Sequence, residues 1–162
     1  MKKVKFICMA LLAMVCLVSC RGPKSETNVY SSTVTVYSSD WRFDNTSWRV
    51  DIEYDAIDLS VHDYGAVLVY MNNENTWRQI PMTYYYSVID NGQTVYCSSS
   101  LEVSSYEGGV SIFWTENDFY PGYRPKDHRF KIVALSSADY SARSDVDYSN
   151  YEAVKEAFQL KD

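Results

Sequence analysis

Basic residues are scarce in this chain of 162 residues, where 15 Lys and Arg stand against 21 Asp and Glu. Three of the lysines lie within residues 1–19, which contain no acid, so the other 143 residues hold 12 basic and 21 acidic groups, a formal charge of −9. Proteins that recognise nucleic acid or an anionic membrane through charge need a basic patch. The composition therefore argues against a nucleic-acid partner.

Histidine is equally rare, which limits the catalytic chemistry open to the chain. The two histidines, His62 and His128, stand in no HExxH, GxSxG or Cys–His context. Asp118 and Asp127 share a long segment with His128, and a carboxylate–imidazole pair there is the basis of a hydrolase hypothesis. Acids and histidine in a solvated loop are more often only solvated, so we expect no enzyme activity and no cofactor.

Two acidic or amide-rich stretches contain the hard oxygen ligands that calcium accepts, 72–75 (NNEN) and 116–118 (END). Neither stretch has the spacing of an EF-hand loop. Both are explained more simply as turn residues, because Asn and Asp favour turns. We therefore expect no metal site.

The most specific signal lies at the start of the chain. Residues 1–20 read MKKVKFICMALLAMVCLVSC, a cationic start followed by an apolar run that is too short for a comfortable membrane span. The run ends in LVSC at 17–20, which matches the lipobox of bacterial lipoprotein signals. An ordinary secretory signal with an accidental Cys20 is the alternative, but charge, apolar length and lipobox agree on a lipoprotein.

This interpretation gives the domain organisation and the location. We expect a signal peptide at 1–19, a polar tether at 20–28 that begins with lipidated Cys20, and one domain at 29–162. Several acyl chains on one residue hold a protein stably on a membrane. The expected location is a bacterial cell envelope, with the outer membrane favoured and the leaflet left open.

Cysteine is also too rare for a disulfide in the mature chain. Cys8 and Cys16 lie in the signal and Cys20 is expected to carry lipid, so Cys97 alone remains. Cys97 follows a strand-like stretch and has no catalytic context. We interpret it as a small buried hydrophobe.

Apolar and aromatic residues, in contrast, are plentiful at 46% and 15% of the chain, which excludes disorder. From residue 30 the apolar positions recur with period two, most clearly at 48–54, where Trp48, Val50 and Ile52 alternate with charged residues. Residues 65–71 (GAVLVYM) are apolar on both faces, as in a central strand. Residues 56–64 are compatible with either a helical turn or an extended connection.

Turn signals separate these strands. Asn91–Gly92 favours a type I′ hairpin turn, and Gly108–Gly109 predicts a second tight turn before an apolar face at 110–114. Three serines at 98–100 predict a bend or bulge between two strands. Pro81 places the end of the preceding strand at an edge or bulge, because proline has no backbone donor.

The chain ends with a change of period. Ser149 and Glu152 match a capping box, and Tyr151, Val154 and Phe158 form an apolar stripe on a short helix. About eight strands with turns between them predict a mainly β protein, an antiparallel β-sandwich of immunoglobulin-like architecture with one short C-terminal helix.

The motifs GAVLVYM at 65–71, TWRQIPM at 76–82, FKIVAL at 130–135 and DVDYSNYEAVKEAF at 145–158 resemble a family of small gut-bacterial lipoproteins. The resemblance covers nearly all of the chain from about Val34 onward. It implies a β-sandwich attached to the envelope, in a family without an assigned activity. No catalytic or ligand-binding residue is implied by it.

Aromatic residues outside the alternating strands are the candidate binding residues. Trp41 and Phe43 lie between two strands, and Tyr120 and Tyr123 lie in a Pro-containing segment. Exposed rings stack on sugars or anchor protein partners, whereas buried rings would act as a lid over the sandwich. We expect a non-enzymatic envelope lipoprotein that binds or scaffolds other envelope components, with a ligand that the sequence does not identify. A glycan-binding module is the alternative.

Overall fold

The computed structural model describes residues 29–117 and 123–161. Outside the described residues lie 1–28, which include Cys20, and also Asp118 and Tyr120. The interpretations of these residues stay predictions. Nine strands are present in the described ranges, and they are β1 Val29–Val36, β2 Arg42–Asp44, β3 Ser47–Glu53, β4 Ala66–Asn73, β5 Thr76–Ile80, β6 Met82–Asp90, β7 Gln93–Tyr106, β8 Gly109–Glu116 and β9 His128–Leu135. Three helices accompany them, and they are α1 Leu59–Tyr64, α2 Ser137–Ala142 and α3 Tyr151–Phe158.

The strands form two antiparallel sheets that pack face to face as a β-sandwich, as predicted. One sheet has the order β1-β9-β4-β5, and the other has the order β2-β3-β8-β7-β6. The alternating residues of β3 face inward, where Trp48 lies opposite Trp114 and Val50 lies opposite Ile112. Their burial between the sheets supplies the main hydrophobic stabilisation of the fold.

A second apolar layer explains why β4 and β9 are apolar on both faces. Helix α3 packs on the outer side of the four-stranded sheet, where Tyr151, Val154 and Phe158 meet Leu68 and Tyr70 of β4. The stripe predicted at the C-terminus is therefore the contact face of this helix. The helix begins one residue later than the capping box implied, because the side chain of Asn150, not Ser149, accepts the amide hydrogens of residues 152 and 153.

Helix α1 decides between the two interpretations of 56–64. The side chain of Asp58 accepts a hydrogen bond from the amide of Val61 at 2.8 Å, which caps the helix, and Val61 is buried. Helix α2 was not predicted. It is capped by Ser136, whose hydroxyl accepts from the amide of Asp139 at 3.1 Å.

The prediction of a bend or bulge at Ser98–Ser100 was wrong. Strand β7 continues through these serines for 14 residues, because β6 pairs with them on one side and β8 pairs with Ser99 and Ser100 on the other. The hairpin turn at Asn91–Gly92 is present, with positive φ angles of 48° and 79°. Strand β5, which ends before Pro81, lies at a sheet edge as predicted.

Candidate functional site

The structure places the predicted aromatic residues in different environments. Trp41 is only 1% exposed, and its ring packs edge-on against that of Trp114, with the ring centroids 6.1 Å apart. The expectation that Trp41 is a surface binding ring was therefore wrong, because the ring belongs to the core. The short 3-10 turn at Ser38–Asp40 directs the chain so that this ring enters the core. Phe43 belongs to β2 rather than to a loop, and its ring lies 5.3 Å from Trp48.

Tyr123 is the one described candidate with substantial exposure, at 41%. Its partial burial, followed by the nearby Glu116, raises the pKa of its phenol. It therefore combines a packed part, as a lid has, with an exposed part, as a binding ring has.

A group that sequence analysis did not single out lies near the end of β8. The buried carboxylate of Glu116 accepts hydrogen bonds from the Tyr86 hydroxyl at 2.6 Å, from the Ser99 hydroxyl at 2.8 Å and from the Trp114 indole at 2.7 Å. Burial, and then the hydrogen bond to Glu116, raise the pKa of Tyr86 to about 12. Three donors satisfy a carboxylate that has been removed from water, so this network holds β6, β7 and β8 together.

His128 packs against the indole of the same Trp114. The two rings stack at 4.9 Å with an interplanar angle of 28°, and burial lowers the pKa of His128. His128 also lines a cavity of about 430 Å³ together with Tyr84 of β6 and the side chains of Met71, Asn73, Arg78 and Gln79. The stacking on Trp114 thus places the imidazole at the wall of this cavity.

Asp127 and His128, two members of the carboxylate–imidazole pair in the hydrolase hypothesis, have different neighbours. One carboxylate oxygen of Asp127 accepts the amide hydrogen of Ser38 at 2.7 Å, and His128 stacks on Trp114. His62 is at the surface, where its Nδ1 lies 2.8 Å from the carboxylate of Asp63. The other carboxylate of the hypothesis, Asp118, lies outside the described residues.

The two stretches considered for calcium fold differently. Glu74 and Asn75 form the turn between β4 and β5, with left-handed φ angles of 49° and 64°. Glu116 is occupied by the donors described above. Within 29–117 and 123–161, no group of three or more His, Cys, Asp or Glu side chains comes together to hold a metal ion.

An exposed apolar surface lies on the part of the β6–β7 hairpin that extends beyond β8. Strand β8 pairs with β7 only from Ser99 onward, so residues 85–98 form a two-stranded extension, which we call the hairpin arm. Tyr85 is 84% exposed, Ile89 is 74% exposed and Tyr96 is 81% exposed. All three project from one face, because Tyr85 and Ile89 are four residues apart and Tyr96 lies opposite Ser87.

The opposite face of the hairpin arm points toward the core side of the sheet. It carries Tyr86, Val88, Val95 and the free, half-buried Cys97. The arm therefore has apolar residues on both faces, which a strand with one solvated face normally lacks. The sequence signal for the hairpin is the Asn91–Gly92 turn with its flanking alternation, and the length by which it passes β8 follows from the strand register.

Comparison with known proteins found no match: no family model, no curated protein and no solved structure corresponds to the chain. In the described ranges, no helix has both the length and the apolar character needed to cross a membrane.

Proposed function

We propose that this protein is a non-enzymatic lipoprotein of a bacterial cell envelope, anchored through lipid on Cys20, that binds another envelope protein with the outer face of its hairpin arm. The observation that carries the binding role is the exposure of Tyr85, Ile89 and Tyr96 on one face of the arm. The anchor is supported by the cationic, apolar and lipobox features of residues 1–20.

The chemistry of this face favours a protein partner. Tyrosine provides a large contact area at a low entropic cost, and the cores of protein interfaces are rich in aromatic residues and poor in charge. The hairpin arm contains a single charged residue, Asp90, at its tip. Ile89 adds an aliphatic contact diagonally opposite Tyr96, a contact that a protein surface can cover closely.

A glycan-binding module is the second candidate. It is favoured by two exposed rings, those of Tyr85 and Tyr96, on the same face. Rings at such positions can stack on the apolar faces of sugars. The two candidates differ in whether the bound molecule is a protein that can be cross-linked or an envelope polysaccharide.

The test is photo-cross-linking in intact cells with a photoreactive amino acid at position 96. A matched control places it at Tyr64, which is 74% exposed on helix α1. We expect a discrete protein adduct from position 96 that is absent from position 64. We also expect Tyr85→Ser to reduce this adduct by about tenfold or more, because central aromatic contacts dominate binding energy.

Two results would overturn the protein-binding role. One is an adduct of equal yield from positions 96 and 64, and the other is an adduct from position 96 that Tyr85→Ser leaves unchanged. If purified protein instead binds envelope polysaccharide and loses this binding in Tyr85→Ser, the glycan-binding candidate replaces the first.

A further inference from the structure

Strand β6 forms one edge of the five-stranded sheet. The strand is nine residues long and pairs with β7 without a bulge from Met82 to Asp90. No described strand pairs with its other side. A row of backbone N–H and C=O groups on such an edge is a template for another strand.

Proteins usually protect an edge strand with charge, proline, a bulge or a cover. In β6, Asp90 at the last position is the only charged residue, and Pro81 precedes the strand. Two of the other three edges are less suited to pairing. Strand β2 has only three residues, and Arg78 of edge strand β5 bridges to Asn150.

The hairpin turn determines which backbone groups of β6 point outward. In a two-residue hairpin, the flanking pair, here Asp90 and Gln93, is hydrogen-bonded, and hydrogen-bonded pairs then alternate with non-bonded pairs. The backbone groups of Val88 and Tyr86 therefore point to β7. Those of Ile89, Ser87 and Tyr85 point to the open side.

The sequence of β6 is complementary to itself about Ser87. In an antiparallel pair with a twofold axis at Ser87, Tyr85 faces Ile89 of the second copy on the outer face. On the inner face, Tyr86 faces Val88 of the second copy. Both are aromatic–β-branched pairs, which stabilise antiparallel sheets, and Asp90 faces an uncharged tyrosine, so no like charges meet.

We propose that two copies of this protein associate edge to edge through β6, in antiparallel register centred on Ser87. Two five-stranded sheets then form one continuous sheet, and the outer faces of both hairpin arms lie side by side. The proposal stands on the backbone edge of β6 and not on the protein-binding role proposed above. Tyr96 lies on β7, away from the edge, so the two proposals can be tested separately.

Disulfide trapping in the full-length chain tests both association and register. Ser87 faces Ser87 of the second copy as a hydrogen-bonded pair, with Cα atoms about 5.5 Å apart, within the range that a disulfide spans. Mild oxidation of Ser87→Cys is therefore expected to give a covalent dimer. Residue 87 and the native Cys97 project from opposite faces of the hairpin, so they do not compete by pairing within one chain.

Two further variants make the test specific for the register. Tyr85→Cys and Ile89→Cys are each expected to give little dimer alone and to cross-link efficiently when mixed, because these positions face each other. Ser60→Cys on helix α1 is the control for random collision, since Ser60 is exposed. A Ser87→Cys yield no higher than that of Ser60→Cys, or efficient dimer from Tyr85→Cys alone, would overturn the proposal.

The mass in solution provides a second measurement without added thiols. We expect light scattering over a concentration series to show a dimer that Ser87→Lys converts to monomer, because two like charges would then face each other at the axis. Thr94→Lys is the matched control, because it adds the same charge to the same face on β7. A monomeric parent chain, or a Ser87→Lys variant that stays dimeric, would contradict the proposal. A parent chain that is monomeric and still gives the photo-adduct at position 96 would refute only this inference.

Discussion

The imidazole of His128 stacks on the indole of Trp114, with ring centroids 4.9 Å apart and planes 28° from parallel. Burial lowers the pKa of His128, and Lys126 lowers it further, while Asp127 acts in the opposite direction. In the unfolded chain the imidazole has its ordinary pKa of about 6.5. The unfolded state therefore binds a proton more readily than the folded state as the pH falls below this value.

The first prediction follows from this difference. Stability contributed by neutral His128 is present above pH of about 6.5 and is lost as the pH falls toward its lowered folded pKa. We expect urea unfolding to show a steeper loss of stability in this window for the parent chain than for His128→Gln. Well above pH 6.5, where the imidazole is neutral in both the folded and the unfolded state, the two chains should show equal slopes, which serves as the control. Equal slopes for the parent and His128→Gln in the acidic window would contradict the prediction.

The second prediction concerns the buried carboxylate of Glu116. Glu116→Ala leaves the donors of Tyr86, Ser99 and Trp114 without their acceptor inside the protein. We expect a loss of about 3 kcal/mol or more in the free energy of unfolding, because each unsatisfied buried donor costs about 1–3 kcal/mol. Glu102→Ala on the exposed side of β7 should change it by less than about 0.5 kcal/mol. Similar urea midpoints for the two variants would show that the network contributes little.

Most of the sandwich could be predicted from period-two alternation. In β3 and β8, every second residue is apolar and faces the core, so the sequence pattern shows which face is buried. The burial of Trp41 could not be predicted. A residue between two strands has no periodicity that shows its direction, and the 3-10 turn before it turns the ring inward. Strand β7 runs through Ser98–Ser100 because neighbours on both sides complete its hydrogen bonds, which outweighs the weak strand preference of serine.

The exposed hairpin arm was predictable in part. The Asn91–Gly92 turn and the flanking alternation predict the hairpin, but exposure depends on how far β7 extends beyond β8. That difference in length appears only when the register between the strands is known. Helix α2 was missed because its six residues bury no side chain, so the sequence carries no apolar stripe there.

The third prediction tests the register of β3. Trp48 is buried opposite Trp114, whereas Arg49 is partly exposed and pairs with Asp51 at 2.8 Å. We expect Trp48→Ala to cost about 3–5 kcal/mol, and Arg49→Ala to cost less than about 1 kcal/mol because exposed ion pairs contribute little. Urea titration of both variants measures the difference. Comparable costs would be incompatible with this register.

The fourth prediction concerns the expected anchor. Because the thiol of the lipobox cysteine is the acceptor of the lipid, Cys20→Ser should prevent acylation. Metabolic labelling with an alkyne fatty acid should therefore mark the parent chain and leave Cys20→Ser unmarked. Cys97→Ser is the matched control and should be labelled like the parent. A labelled Cys20→Ser chain would refute lipidation at this position.

The last prediction distinguishes the helix cap seen in the structure from the one expected from sequence. The amide oxygen of Asn150 accepts the backbone hydrogen of Glu152 at 3.0 Å, while the hydroxyl of Ser149 donates to Asp147 at 2.6 Å outside the helix. Asn150→Ala should lower the free energy of unfolding by about 1 kcal/mol, the usual cost of removing an N-cap. Because helix α3 covers the four-stranded sheet, this loss should appear in global urea unfolding and not only as local fraying. Ser149→Ala should cost less, because the first turn of the helix keeps its acceptor. A larger loss for Ser149→Ala than for Asn150→Ala would restore the capping box as the start of the helix.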